Sequence, residues 1–307
     1  MRKIVILGGN GFLGRRLAER FSQDSDNSVI VYDHKLPVYN RRLSNVEYVS
    51  GEFVAGYDFG SLVRNAYLVV HLISTSVPGT EKGPLDEIHA NVIPSVELFD
   101  ACVSENVDRL VFLSSGGTIY GGSAYRANRE TDPPCPYNTY GLQKVMIEQT
   151  LQLTSHCSSM QYQIIRLSNP YGPGQNPHGP LGLITKLVYQ ATNHDTIHIF
   201  GDGSVVRDFI YIDDAIQGII DIIERGERNS IYNLGRGTGV SVSDVIATIG
   251  AVLPESLDIV YEPARKVDAP YSVLDISKYR MISTIDEFIS LAEGVKRTHD
   301  FFITHSE

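Results

Sequence analysis

The sequence predicts an α/β fold, a doubly wound parallel sheet followed by a smaller C-terminal lobe. Three observations carry this. Short apolar, β-rich runs alternate with helical patterns, as a sheet covered on both faces requires. The first run, Lys3-Ile4-Val5-Ile6-Leu7, passes directly into Gly8-Gly9-Asn10-Gly11-Phe12-Leu13-Gly14 and then into a helix. Beyond Asn169, a stretch punctuated by Pro170, Gly172, Pro173, Gly174, Pro177, Gly179 and Pro180 ends the alternation. The sheet domain is therefore placed at 1–168 and the second lobe mainly at 169–307, with segments near 207–235 returning to the sheet. A chain of 307 residues can bury a core of that size.

Taken in order, the first helix has Leu13, Leu17 and Phe21 on one face and Arg15, Arg16, Glu19 and Arg20 around the outside. Strand, glycine turn and helix start together suit a dinucleotide. Glycines let the backbone approach a pyrophosphate, and the helix N-terminus faces its charge. The unit is Rossmann-type. The next strand, Val29-Ile30-Val31-Tyr32, ends in Asp33, about twenty residues beyond the glycines, where an acceptor for the ribose hydroxyls is expected. A carboxylate there takes two hydrogen bonds from a diol and repels a 2′-phosphate, which favours NAD over NADP. Lys35, Arg41 and Arg42 follow and are assigned to a solvated loop.

Further strands are predicted at 68–72, 110–113, 163–167, 231–234 and 258–261, and helices around 85–105, 138–155, 213–225, 241–252 and 284–301. The ligand is expected where the carboxyl ends of the strands face the second lobe. Ile212-Asp213-Asp214-Ala215 precedes an apolar helical pattern and reads as helix capping, not as an acid/base pair.

A formal charge of −10 argues against a nucleic-acid or anionic-membrane surface, so any bound phosphate needs local cations. Cys102, Cys135 and Cys157 are too few and too scattered for a disulfide framework or a zinc cluster. No metal is expected. With no signal-like segment and no apolar run approaching ~20 residues, a cytoplasmic protein is expected.

Tyr140 and Lys144 lie four apart in Tyr140-Gly141-Leu142-Gln143-Lys144, which stacks a phenol and an ammonium on one helical face. A phenol loses its proton near pH ~10, and a close cation favours the phenolate. The pair can therefore serve as a base near neutral pH.

With these motifs the chain resembles the extended short-chain dehydrogenase/reductase family, and within it the nucleotide-sugar epimerase/dehydratase branch, over nearly its whole length. The resemblance rests on the glycine loop, the Tyr140/Lys144 pair and Ser114-Ser115-Gly116-Gly117-Thr118-Ile119-Tyr120-Gly121. It also rests on Asn169-Pro170-Tyr171-Gly172-Pro173-Gly174 and on Gly201-Asp202-Gly203-Ser204-Val205-Val206-Arg207-Asp208-Phe209. It is nearest to the UDP-glucose and UDP-N-acetylglucosamine 4-epimerases of that branch. It implies transient oxidation of a sugar by a retained NAD, with Tyr140 exchanging the proton of the 4-hydroxyl and Lys144 lowering the phenol's pKa and holding the nicotinamide ribose.

The resemblance further places Gly8, Gly11, Phe12, Leu13, Gly14, Asp33, Leu72 and Asn91 at the cofactor. Glu52 and Phe53 match the adenine contact, although Glu52 also reads as a turn cap, Phe53 as core and Asn91 as an ordinary helix-interior residue. On the substrate side, Asn169, Arg207 and Arg265 match the residues that hold a sugar diphosphate, and Asp268 the group that holds uridine ribose. Arginine's planar fork suits phosphate oxygens. A homodimer packed through helices near 85–105 and 138–155 is also implied.

Two departures qualify the match. The position that normally carries the catalytic Ser or Thr is Gly116. Thr118 points the same way if the segment is extended, and it is the candidate relay, with Ser115 as the alternative. Gly117 and Thr118 also replace the acidic residues that sugar dehydratases and decarboxylases use, which counts against both reactions. The second departure is Ser272, which stands where strict galactose epimerases carry Tyr and leaves room for an N-acetyl group unless Tyr271 fills it. Two other readings stay open: a 4-keto-6-deoxy nucleotide-sugar reductase that exchanges NAD(P)H, and a non-catalytic cofactor-binding protein.

Overall fold

The computed structural model describes residues 1–37, 42–121, 126–254, 256–263 and 269–305. The first half of the chain runs β1 (Arg2–Leu7), α1 (Phe12–Ser22), β2 (Asn27–Asp33), β3 (Val46–Ser50), α2 (Phe59–Val63) and β4 (Leu68–His71). Then come α3 (Pro84–Glu87), a π-helical turn (Ile88–Val92), α4 (Ile93–Ser104), β5 (Arg109–Ser115), α5 (Thr139–His156) and β6 (Gln161–Leu167). After β7 (Asn169–Tyr171) follow α6 (Leu183–Thr192), β8 (Ile197–Phe200), β9 (Val206–Tyr211), α7 (Ile212–Arg225), β10 (Ser230–Leu234) and β11 (Gly239–Ser241). The chain continues through α8 (Val242–Val252), β12 (Ile259–Glu262), β13 (Tyr271–Ser272), α9 (Ser277–Arg280) and α10 (Leu291–Thr304).

Seven strands form one sheet in the order β10-β6-β5-β4-β1-β2-β3, every neighbouring pair parallel. β1 shows why the apolar run is continuous. Ile4 and Ile6 face a core built with Leu17, Phe21 and Ile219, whereas Val5 and Leu7 face a second core with Phe99, Ile147 and Leu151. A strand covered on both sides has no polar face to show. Strand order reverses between β1 and β4, and such a switch point opens a crevice at the carboxyl edge.

β10 pairs with β6 through Ser230↔Gln163 to Leu234↔Leu167, so chain from beyond Asn169 joins the central sheet. A smaller sheet gathers β7, β9, β11 and β13 above it, with β9 parallel to β7 and β13 and antiparallel to β11. α1 contacts chain from beyond Asn169 at two points: an Arg15 guanidinium NH donates to the Gly174 carbonyl (2.9 Å) in the other lobe, and Arg16 pairs with Asp213 (2.6 Å) on α7.

One helix start and one capping assignment differ from expectation. The last helix begins at Leu291, not near 284, because the Ser290 side chain accepts from the Glu293 amide and fixes the N-terminus there. Asp213 and Asp214 are not caps. Tyr211 occupies the N-cap position, and the two carboxylates lie in the first turn, where the helix end favours negative charge. Among the described residues no helix is long and apolar enough to cross a membrane.

Candidate active site

The glycine loop joins the end of β1 to α1. Gly8 has φ +79°, a left-handed conformation that glycine adopts without strain. At Gly14 a Cβ would lie 2.3 Å from the Gly8 carbonyl oxygen and 2.5 Å from the Gly9 Cα, so only glycine lets α1 sit this close. No side chain caps α1 at Gly11, which leaves the positive helix end, with Phe12 and Leu13 in its first turn, facing the crevice. The Leu72 amide donates to the Leu7 carbonyl (3.0 Å) and brings the end of β4 beside the loop.

Asp33 ends β2, nearly buried. Its Oδ2 accepts the Asn10 amide (3.0 Å), tying it to the glycine turn, and its Oδ1 meets His34 Nδ1 (2.8 Å). A cradle closed to any side chain, an uncapped helix end and a carboxylate at the next strand fit a dinucleotide with free ribose hydroxyls. Glu52 is exposed and accepts the Tyr32 hydroxyl through its carbonyl (2.9 Å). Phe53 is buried with its ring 5.5 Å from that of Phe59 and 5.1 Å from that of His71, which is the core alternative. Arg41, like Arg265 and Asp268, lies outside the described residues.

Tyr140 and Lys144 begin α5, which Asn138 caps by accepting the Gly141 amide (2.7 Å). Both are buried. The Tyr140 hydroxyl is hydrogen-bonded to Ser115, and Ser115 Oγ accepts the Thr118 hydroxyl at 3.0 Å. Tyr140, Ser115 and Thr118 therefore form a row, with Ser115 in the middle. This corrects the reasoning behind Thr118. The chain leaves β5 after Ser115 and turns through Gly116–Thr118, so the alternation of an extended segment does not apply. A Cβ on Gly116 would lie 2.5 Å from Leu274 Cδ1, so Leu274 fills the space of the missing hydroxyl.

The electrostatics also differ from expectation. Burial pushes the Tyr140 phenol well above its ordinary value; the Ser115 hydrogen bond acts the other way, and the Glu87 and Glu81 carboxylates add to the rise. Burial pulls the Lys144 ammonium down to about 8, opposed by Glu148 and Glu87. The Lys144 Nζ donates to the Leu113 carbonyl (3.3 Å) and sits 4.9 Å from the Phe112 ring centre and 5.6 Å from that of Tyr140. Desolvation outweighs the expected Lys144 effect on the phenol, because both groups lie in one low-dielectric site.

Asn91 is fixed by its surroundings. In the π-helical turn its Oδ1 accepts the Thr75 amide (2.8 Å) and its Nδ2 donates to Glu87 Oε2 (3.0 Å). Glu87 also accepts the Ser76 hydroxyl (2.6 Å), and Ser76 Oγ in turn accepts Gln143 Nε2 (3.1 Å). Sequence reading missed Glu87 and Gln143. The signals were the four-residue spacing of Glu87 and Asn91 and the place of Gln143 between Tyr140 and Lys144. Behind α5, buried Arg166 pairs with Glu148 (2.7 Å) and donates to the Tyr120 hydroxyl (2.8 Å), which donates to Asn233 Oδ1 (2.6 Å).

Asn169, Arg207 and Ser272 stand on β7, β9 and β13 of the small sheet. Asn169 Nδ2 donates to the Asp208 carbonyl (2.9 Å), Arg207 Nη1 to the Ala269 carbonyl (2.6 Å), and Ser272 Oγ to the Gly117 carbonyl (3.5 Å). The last contact joins this sheet to the turn carrying Thr118. Tyr271, next in the strand, does not share that direction, since alternate side chains face opposite sides and its ring lies 3.6 Å from where a Gly239 Cβ would be. Asp208 was present in the quoted motif but not singled out. Its carboxylate accepts the amides of Arg236 (2.9 Å), Gly237 (3.1 Å) and Leu274 (3.3 Å).

This geometry has counterparts among known proteins. The chain is 27% identical to UDP-glucose 4-epimerase of Thermotoga maritima, solved with UDP-glucose, and the two structures superpose with a TM-score of 0.92 over 99% of this chain and 100% of the other. UDP-N-acetylglucosamine 4-epimerase of Methanobrevibacter ruminantium, solved with UDP-N-acetylmuramic acid, is 26% identical with a TM-score of 0.90 over 99% and 98%. A dTDP-4-dehydro-6-deoxyglucose reductase of Escherichia coli is 32% identical over 216 residues, 70% of this chain and 68% of that protein. Residues 4–235 match the NAD dependent epimerase/dehydratase family, and the chain belongs to that family.

Proposed function

We propose that the protein is an NAD-dependent nucleotide-sugar 4-epimerase acting on UDP-glucose/UDP-galactose, UDP-N-acetylglucosamine/UDP-N-acetylgalactosamine, or both. The observation that carries this reading is the row Tyr140–Ser115–Thr118, buried at Tyr140 and Thr118 and half-buried at Ser115, with buried Lys144 one turn on, at the crevice beneath the glycine loop. Gly8, Gly11 and Gly14, with the first turn of α1, hold the cofactor pyrophosphate, and Asp33 holds the adenosine ribose. Bound NAD supplies reversible hydride transfer and, when oxidised, a positive ring that favours phenolate. Tyr140 Oη takes the proton of the sugar 4-hydroxyl and later returns it. Ser115 Oγ orients that phenol, and Thr118 Oγ1 orients Ser115. Lys144 Nζ holds the nicotinamide ribose. Asn169 and Arg207, with Arg265 and Asp268, take the nucleotide diphosphate and ribose, so the lobe from 169 onward serves mainly as the substrate lobe. Asn91 holds the loop after β4 beside the cofactor.

The test is direct. Purified protein is expected to retain NAD released only by denaturation and to interconvert UDP-sugars with no cofactor added. A protein that copurifies with none and consumes NAD(P)H stoichiometrically on a 4-keto sugar is the reductase instead, a reading the Escherichia coli relative favours. Loss of turnover in Tyr140→Phe excludes a non-catalytic protein. Ser272, small and buried beside Gly117, supports acceptance of N-acetylated sugars, and Ser272→Tyr is expected to remove that activity selectively; unchanged N-acetylated turnover refutes it.

We further propose a cytoplasmic homodimer. Leu142 and Leu153, 39% and 63% exposed, fall on one face of α5, and a cavity of about 410 Å³ lined by Val103, Leu153 and Cys157 lies between α4 and α5.

A further inference from the structure

At the amino edge of the central sheet, away from the glycine loop, lies a second cavity of about 450 Å³. Four arginines line it, Arg2, Arg20, Arg109 and Arg228, against two carboxylates, Asp24 and Glu224. That balance is unusual for a chain with a formal charge of −10. Arg109 is 6% exposed, which is costly for a guanidinium whose donors are not all met. One of its NH groups donates to the carbonyl of Ile223 and to Gln163 Oε1, and Tyr67 is hydrogen-bonded to the guanidinium, while among the described residues its buried Nε has no hydrogen-bond partner. Tyr67 lies between guanidiniums, its ring centre 6.0 Å from Cζ of both Arg2 and Arg109. Arg2 is neutralised by Asp24 (2.7 Å), and Arg228 meets Asp108 (3.1 Å). Among the described residues, Arg20 donates to the neutral amide oxygen of Gln23 (3.2 Å) and to no carboxylate.

We propose that this cavity binds a small phosphate-bearing molecule. Guanidinium forks match phosphate oxygens in pairs. The aromatic wall of Tyr67 and the side chains of Ile4 and Ile220 suit the less polar part of a phosphate ester. The site is separate from the catalytic crevice. β5 carries Arg109 at its first residue and Ser115 at its seventh, roughly 20 Å apart at the rise of a strand.

The experiment is a titration of the full-length protein with inorganic phosphate and with glucose 1-phosphate, at ionic strength held constant with chloride, followed by ³¹P line broadening and thermal shift. Both anions are expected to broaden and to raise Tm where chloride does not. In the double variant Arg20→Gln/Arg228→Gln, affinity is expected to fall at least about tenfold, with the anion-free Tm and circular dichroism unchanged. Arg207→Gln, on the substrate-side sheet, is expected to retain it. Tighter binding of the ester assigns the site to phosphate esters, and equal binding assigns it to free phosphate. Binding as tight in the double variant as in the wild type, or lost only in Arg207→Gln, overturns the proposal. Arg109→Gln, titrated in the same way, tests the buried member independently. Neither result depends on whether the crevice proves to be an epimerase site.

Discussion

Gly116 determines which hydroxyl reaches Tyr140. With Leu274 Cδ1 2.5 Å from where a Gly116 Cβ would stand, a side chain enters only if Leu274 shifts, and the turn that follows hands the phenol to Ser115 and places Thr118 behind it. Ser115→Ala is therefore expected to lower kcat by roughly 10²-fold or more, and Thr118→Val by less, because Thr118 acts through Ser115. Steady-state turnover with bound NAD quantified in each variant checks the order; a larger loss at Thr118 than at Ser115 reverses the assignment. Lys144 sets a pH limit. Burial brings its ammonium down to about 8, so the charged form persists below that pH and is lost above it. The kcat/KM profile, which reports the free enzyme, is expected to fall on an alkaline limb near pH 8, and a flat profile to pH 10 would count against Lys144 as the charged partner. The residue-level machinery was visible as residue types and spacing. What spacing could not show was desolvation, which here reverses the expected direction for the phenol.

At the scale of elements, β9 is the strand on which the site depends. Asp208 points inward from it and holds the loops at 235–237 and 274 with three backbone hydrogen bonds, and Leu274 is the residue that closes Gly116. Burial raises this carboxyl to about 6 while those amides favour its charged form. Asp208→Asn replaces an acceptor oxygen with an NH₂ facing N–H donors and is expected to cost about 1–3 kcal/mol, read as a lower Tm in thermal unfolding. Six of the seven central strands were legible from their apolar runs; β3 was not predicted, because it is an edge strand with Glu47 and Ser50 exposed. β7, β9, β11 and β13 were not predicted as strands: β7, β11 and β13 have three, three and two residues, β9 carries Arg207 and Asp208 within it, and all four are paired through distant chain. The helix around 85–105 was legible in extent. Its π-helical turn at Ile88–Val92, which carries Asn91, was not, because nothing in a helical periodicity marks one extra residue in a turn.

For the whole molecule, the apolar face of α5 and the cavity beside it predict assembly. Leu142→Lys/Leu153→Glu is expected to convert a dimer to a monomer in analytical ultracentrifugation while leaving the fold intact. A wild type that sediments as a monomer removes that proposal. The sequence by itself determined the parallel sheet, the glycine loop with Asp33, and the Tyr140/Lys144 pair, because each is a local pattern: two-sided burial, a backbone requirement and helical periodicity. Only the tertiary structure decided that Ser115 touches Tyr140, that Leu274 occupies the space of a Gly116 side chain, and that four arginines meet at the opposite edge. Those outcomes depend on contacts between residues tens to hundreds of positions apart, and burial there, not spacing, sets which charges and hydroxyls can act.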